Sequence, residues 1–132
     1  MKVLFYFTLL FLFLSSCEKI PFDHRNKYLG DYKFSYSYYN WNMTPYQSPT
    51  VTEESIGEVY YDKKEDKDLI TIKVSESLIF NCDINENGIL NICGGSGEFE
   101  NKNKLTLQYS SSSCPGNGMG GGVVYSIIGN KE

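Results

Sequence analysis

The chain has 132 residues, of which 12 are basic and 16 acidic, for a net charge of -4, and 15% are aromatic. Its length allows one domain with a sizeable core and leaves no room for a second. Basic and acidic residues are interleaved throughout, so no cationic patch points to nucleic acid.

The first residues read as an export leader. Lys2 supplies the positive start, and Val3 to Leu14 is apolar apart from Thr8. A helix over this run would span roughly 18 Å, short of the ~30 Å hydrocarbon core of a bilayer. The run ends at Leu14-Ser15-Ser16-Cys17. This motif resembles the lipobox of bacterial lipoproteins, in which the chain is cut before a cysteine that then carries lipid. The resemblance implies a signal peptide over 1–16 and a lipidated Cys17, which would hold the rest on a membrane. An ordinary leader cleaved near Ser16 is the competing reading. The leader and the Tyr-, Asn- and Lys-rich remainder together resemble small cell-envelope lipoproteins of Bacteroidota, which implies an outer-membrane location, periplasmic or surface-exposed.

Downstream, Glu18 to Lys27 is polar, contains Pro21 and the sole histidine, His24, and reads as a tether spanning 17–27 with the anchor. The domain is expected over 28–129, with 130–132 as a tail. Eleven tyrosines and many β-branched residues favour strands. Tyr28 to Trp41 alternates, with Tyr32, Phe34, Tyr36 and Tyr38 on one face and Lys33, Ser35 and Ser37 on the other. Asn40 to Thr52 reads as a long loop with Pro45 and Pro49, and Ser55 to Tyr61 resumes a strand. A charged turn at 62–68 precedes strands at Leu69 to Val74 and Leu78 to Ile84.

Asn85-Glu86-Asn87-Gly88 is a hairpin signal with two registers. An Asn87-Gly88 turn sets Cys82 opposite Cys93 and mixes polar with apolar residues. A three-residue turn with Gly88 left-handed pairs Ile84 with Leu90, keeps one face apolar and sends Cys93 to the other. The second is preferred. Further strands follow at Glu98 to Glu100, Lys104 to Tyr109 and Val123 to Ile128, the last two separated by a Gly/Ser loop over 110–122.

The expected fold is therefore all-β, a single antiparallel up-and-down meander of about eight strands, with a two-sheet sandwich as the alternative. Gly30-Asp31-Tyr32 opening the first strand, with a long loop behind it, resembles the start of lipocalin-like barrels, which implies a cup able to bind small apolar molecules. In a meander the connections alternate between two ends. The tether and the turns at 62–68, 85–88 and 101–103 fall at one; the loops at 40–54, 75–77, 94–97 and 110–122 fall at the other. Cys93 and Cys114 share the second end and are predicted to form a disulfide, worth ~3 kcal/mol for a loop of about 22 residues. Cys82 is left as a buried free thiol.

Candidate chemistry is sparse. Tyr39, Trp41 and Tyr46 lie off the core face near the outer loops, where their rings could stack on a sugar or apolar ligand. Asp83 to Gly88 matches half of a calcium loop, but Gly94 stands where the twelfth-position acid belongs, so a plain turn is the better reading and no metal is expected. The glycines at 116–122 lack a phosphate-loop ending. His24 lies in the tether, where a base could not be held against a nucleophile, and the pairs Glu53-Glu54 and Glu98/Glu100 read as solvated acids, so neither catalysis nor a cofactor is expected. The expected function is a membrane-anchored envelope protein that binds a small molecule, glycan or protein through its outer loops. A structural subunit docking onto another envelope protein is the alternative.

Overall fold

A computed structural model describes residues 22–42, 47–62, 64, 66–114 and 121–132. Eight strands run in sequence order around a closed antiparallel barrel: β1 Gly30–Asn42, β2 Val51–Tyr60, β3 Leu69–Ser75, β4 Leu78–Ile84, β5 Ile89–Ile92, β6 Gly95–Glu100, β7 Lys104–Ser110 and β8 Gly121–Lys131. β1 pairs with β2 on one side and β8 on the other, so the sheet returns on itself and the sandwich alternative is excluded. The up-and-down topology is the one implied by the likeness to lipocalin-like barrels.

Alternation builds the interior. Tyr32, Phe34, Ile70, Ile72, Val74, Leu90, Leu105, Leu107 and Ile127 are all buried and fill the barrel, so it encloses packed side chains and not a deep cup. Each such apolar residue contributes roughly 1.5–3 kcal/mol by leaving water. The β4–β5 hairpin takes the three-residue turn: Ile84 pairs with Leu90, and Gly88 is left-handed at φ 84°. A side chain on Gly88 would also strike the Tyr28 hydroxyl, 2.5 Å from its Cβ position. Asn85 Oδ1 accepts from the backbone of Asn87 and Ile89, so it caps the turn from within. Cys93 and Cys114 are disulfide-bonded, and Cys82 is a buried free thiol.

Several expectations change. β1 runs on to Asn42 and β6 begins at Gly95, inside the expected loops at 40–54 and 94–97, because β8 on one side and β5 with β7 on the other pair with them there. The end of the tether is part of the domain: His24–Lys27 forms a 3-10 helix that closes one end of the barrel. Its anchor is Arg25, 1% exposed. Arg25 donates to Asp23 and to the Asp66 and Leu69 carbonyls, and lies 3.9 Å over the Tyr61 ring. Tyr28 then stacks on Phe99 at 4.4 Å. At the other terminus, the expected tail continues β8, with Asn130 opposite Lys33 and Lys131 opposite Tyr32. Finally, β2 begins at Val51, inside the expected loop, because cross-strand pairing with β1 holds a segment that has no apolar alternation of its own.

The rim opposite this cap is uneven. The β3–β4 connection turns at Glu76 and Ser77, whereas β1 and β8 stay paired up to Asn42 and Gly121. β2 pairs with β3 only at Glu58 to Tyr60, and its upper half pairs with β1 alone among the described residues.

Candidate functional site

The taller wall carries its aromatic residues one layer above the aliphatic core. On β1, Tyr36 and Tyr38 face inward; Glu53 of β2 lies opposite Tyr36, and Tyr125 of β8 lies opposite Tyr38. Tyr109 of β7 lies opposite Tyr125. Cross-strand partners share a face of the pleat, so these side chains converge at the mouth. Tyr38 and Tyr125 have ring centroids 5.5 Å apart, Tyr109 and Tyr125 6.3 Å, and Phe80 meets Tyr109 edge-on at 5.3 Å.

Glu53 is the polar centre of this layer. Its Oε2 accepts from the Tyr36 hydroxyl at 2.6 Å and its Oε1 from the Tyr38 hydroxyl at 3.2 Å. The hydrogen bond to Glu53, followed by burial, pushes the Tyr36 hydroxyl up to about 12. The same bond raises Tyr38, while burial and then the Glu53 charge raise Tyr125. All three tyrosines are therefore neutral donors at physiological pH. A hollow of about 260 Å³ opens among Tyr36, Tyr38, Glu53, Ser75, Ser77 and Tyr125.

This arrangement offers a carboxylate acceptor, hydroxyl groups and flat ring faces in one shallow basin. Such a basin suits a polar molecule with apolar faces, such as a sugar ring, whose hydroxyls bond the carboxylate while its C–H faces lie on the rings. Among the described residues no three metal-ligating side chains converge. His24 approaches the Ile84 carbonyl at 3.4 Å, at the capped end and away from the mouth.

The aromatic residues singled out in the sequence fall elsewhere. Tyr39 and Trp41 alternate onto the outer face of β1, opposite Val124 and Gly122, with Trp41 also bridging Gln47. Tyr46 and Cys17 lie outside the described residues. Glu53 is exposed, as read, and in addition accepts from two tyrosines, whereas its neighbour Glu54 points outward to Lys33 at 3.5 Å. The signal for the mouth is present in the tyrosine spacing: Tyr36 and Tyr38 continue the β1 alternation past Phe34, and Tyr109 continues that of β7 past Leu107.

No protein-family model matches the chain, and neither does any curated protein or solved structure.

Proposed function

We propose that the protein is a non-catalytic, lipid-anchored component of the bacterial cell envelope, at the outer membrane, that holds a small polar ligand of the sugar class against the tyrosine mouth. The observation that carries the binding half is Glu53, whose carboxylate is oriented by Tyr36 and Tyr38 in a hollow open to solvent. The anchoring half rests on the likeness of Leu14-Ser15-Ser16-Cys17 to a lipobox. Five residues separate Cys17 from Asp23, the N-cap of the His24–Lys27 cap. So short a link, about 20 Å over six steps of extended chain, would keep the capped end near the lipid and turn the mouth away from it.

Two experiments test the halves separately. A clickable fatty acid should label wild type and spare Cys17→Ala; an unlabelled wild type removes the anchor. A glycan array probed with the mature chain should return hits that Glu53→Gln and Tyr125→Ala lose. Hits retained by both variants would move the binding site away from the mouth. The second reading, docking onto another envelope protein, is favoured by a different feature, the unpaired edge of β2.

A further inference from the structure

The upper half of β2 carries main-chain groups that face no strand of the described barrel. In an antiparallel pair, successive residues direct their N–H and C=O to alternate sides. The Asn40 carbonyl accepts from the Ser48 backbone, which places the even-numbered residues of β1 toward β2 and the odd-numbered ones toward β8. Asp31 agrees, since its carbonyl accepts from Glu132 beyond β8. Tyr38 pairs with Val51, Tyr36 with Glu53 and Phe34 with Ser55, so these odd-numbered residues of β2 spend their main-chain groups on β1. Thr52 and Glu54 must then point theirs the other way. There the β2–β3 ladder has already ended at Glu58, and Ser55 Oγ closes the strand junction by donating to the Val74 carbonyl at 2.6 Å.

This edge is flanked by a hollow on each face. Inside lies the tyrosine mouth; outside lies a second hollow of about 450 Å³ lined by Ile56, Gly57, Glu58, Lys73 and Glu76. Both hollows include Ser75, so they meet at the gap where β2 rises past β3. A strand laid along Thr52 and Glu54 would put successive side chains alternately into the two. The charge around the edge is one-sided: Asp31, Glu53, Glu54, Glu58 and Glu76 stand against Lys33 and Lys73, which are engaged with Glu54 and Glu76.

We propose that the β2 edge at Thr52 and Glu54 is a docking site for an extended, basic peptide segment of a partner protein, which adds a strand to the barrel and places an inward lysine or arginine beside Glu53. Main-chain hydrogen bonds supply the affinity, and the inner acidic hollow supplies the preference for a cationic side chain. The edge stands on the barrel's register and does not depend on whether the mouth takes a sugar.

The test uses the mature chain and a fluorescent seven-residue peptide of alternating threonine and lysine, read by anisotropy and by amide NMR. The expected result is saturable binding that weakens at high salt and moves the Thr52 and Glu54 amide signals. Thr52→Pro and Glu54→Pro should each weaken binding at least tenfold, because each removes an edge-facing N–H while leaving the β1 ladder intact. Protection of the Cys82 thiol from Ellman's reagent reports that a variant is folded. Should one proline variant misfold, the other variant and the wild-type amide map decide. No binding at millimolar peptide, equal binding of a threonine and glutamate peptide, or undiminished binding to a folded proline variant would each overturn the proposal. So would sedimentation showing that a second copy of the chain already occupies the edge.

Discussion

The Tyr36 hydroxyl and the Glu53 carboxylate meet at 2.6 Å across the β1–β2 ladder, at the height where the aliphatic core gives way to the open mouth. The contact ties a ring that is almost fully buried to an acid that is not. It fixes the orientation of the acid before any ligand arrives, which lowers the entropy lost on binding.

Replacing Glu53 by Gln removes the charge that keeps the tyrosine neutral. Tyr36 should then ionise below the value of about 12 seen with Glu53 in place, measurable by phenolate absorbance or ring NMR. A second consequence concerns stability. Tyr32 is also pushed up to about 12, chiefly by burial. Both folded-state values exceed that of the unfolded chain, so their contribution is complete below pH 10 and lost as pH rises from there through about 12. Denaturation midpoints should fall across that window, and an unchanged midpoint would contradict the assignment.

The cap offers a test in acid. Arg25 lies beside Asp23 with 2.6 Å between the groups and holds that carboxyl below its ordinary 3.8, first through the side-chain hydrogen bond. A lowered folded value means that this stabilisation is present above pH 4 and lost as pH drops through the folded value. Asp23→Asn leaves a buried guanidinium facing a neutral amide and should cost about 3 kcal/mol at neutral pH. Urea denaturation at several pH values should also show a flatter acid limb for this variant.

Cys114→Ser opens the covalent link to Cys93 and should cost about 3 kcal/mol in the chain-entropy account. The β-barrel core does not pass through that link, so the variant should retain its strand signal in circular dichroism. Cys82, buried and pushed up to about 12 by desolvation, should stay unreactive toward thiol reagents until the barrel unfolds. Rapid labelling of Cys82 in the native protein would show that β4 opens locally.

Gly57 sits just past the end of the β2–β3 ladder, with the β3 backbone directly against it. A Cβ there would sit 2.0 Å from the Lys73 carbonyl oxygen and 2.9 Å from that of Val74, both backbone atoms with little freedom to retreat. Gly57→Ala should therefore destabilise the barrel by about 2–3 kcal/mol through overpacking. Faster hydrogen exchange at Glu58 to Tyr60 should accompany the loss, whereas a variant as stable as wild type would place β3 farther away.

Much of the barrel is legible in the residues themselves. Tyr32, Phe34 and Tyr36, then Phe80, Cys82 and Ile84 alternate cleanly because one face is buried along each strand, and Ile70, Ile72 and Val74 follow the same period although Thr71 is covered on the outer face as well. Gly88 selected the hairpin register, and that register placed Cys93 where it could meet Cys114. The first half of β2 was not legible. Its inward positions are Val51, Glu53 and Ser55, polar or peripheral, and only pairing with β1 makes them a strand. The cap escaped for a related reason: its anchor is a buried arginine satisfied by long-range carbonyls of Asp66 and Leu69, which leaves no local period. The mouth was half visible. Period two assigned Tyr36 and Tyr38 to the inner face but could not say that the aliphatic filling stops beneath them.

The unequal strand heights give the basin a direction of entry. β1 continues for six residues past Tyr36, about 20 Å of extended chain, while the wall across from it has already turned back at Ser77. Among the described residues the rim around Glu53 is therefore stepped, low beside Ser77 and high along β1 and β8, so a ligand held there as proposed would lean on the high wall and clear the low sill.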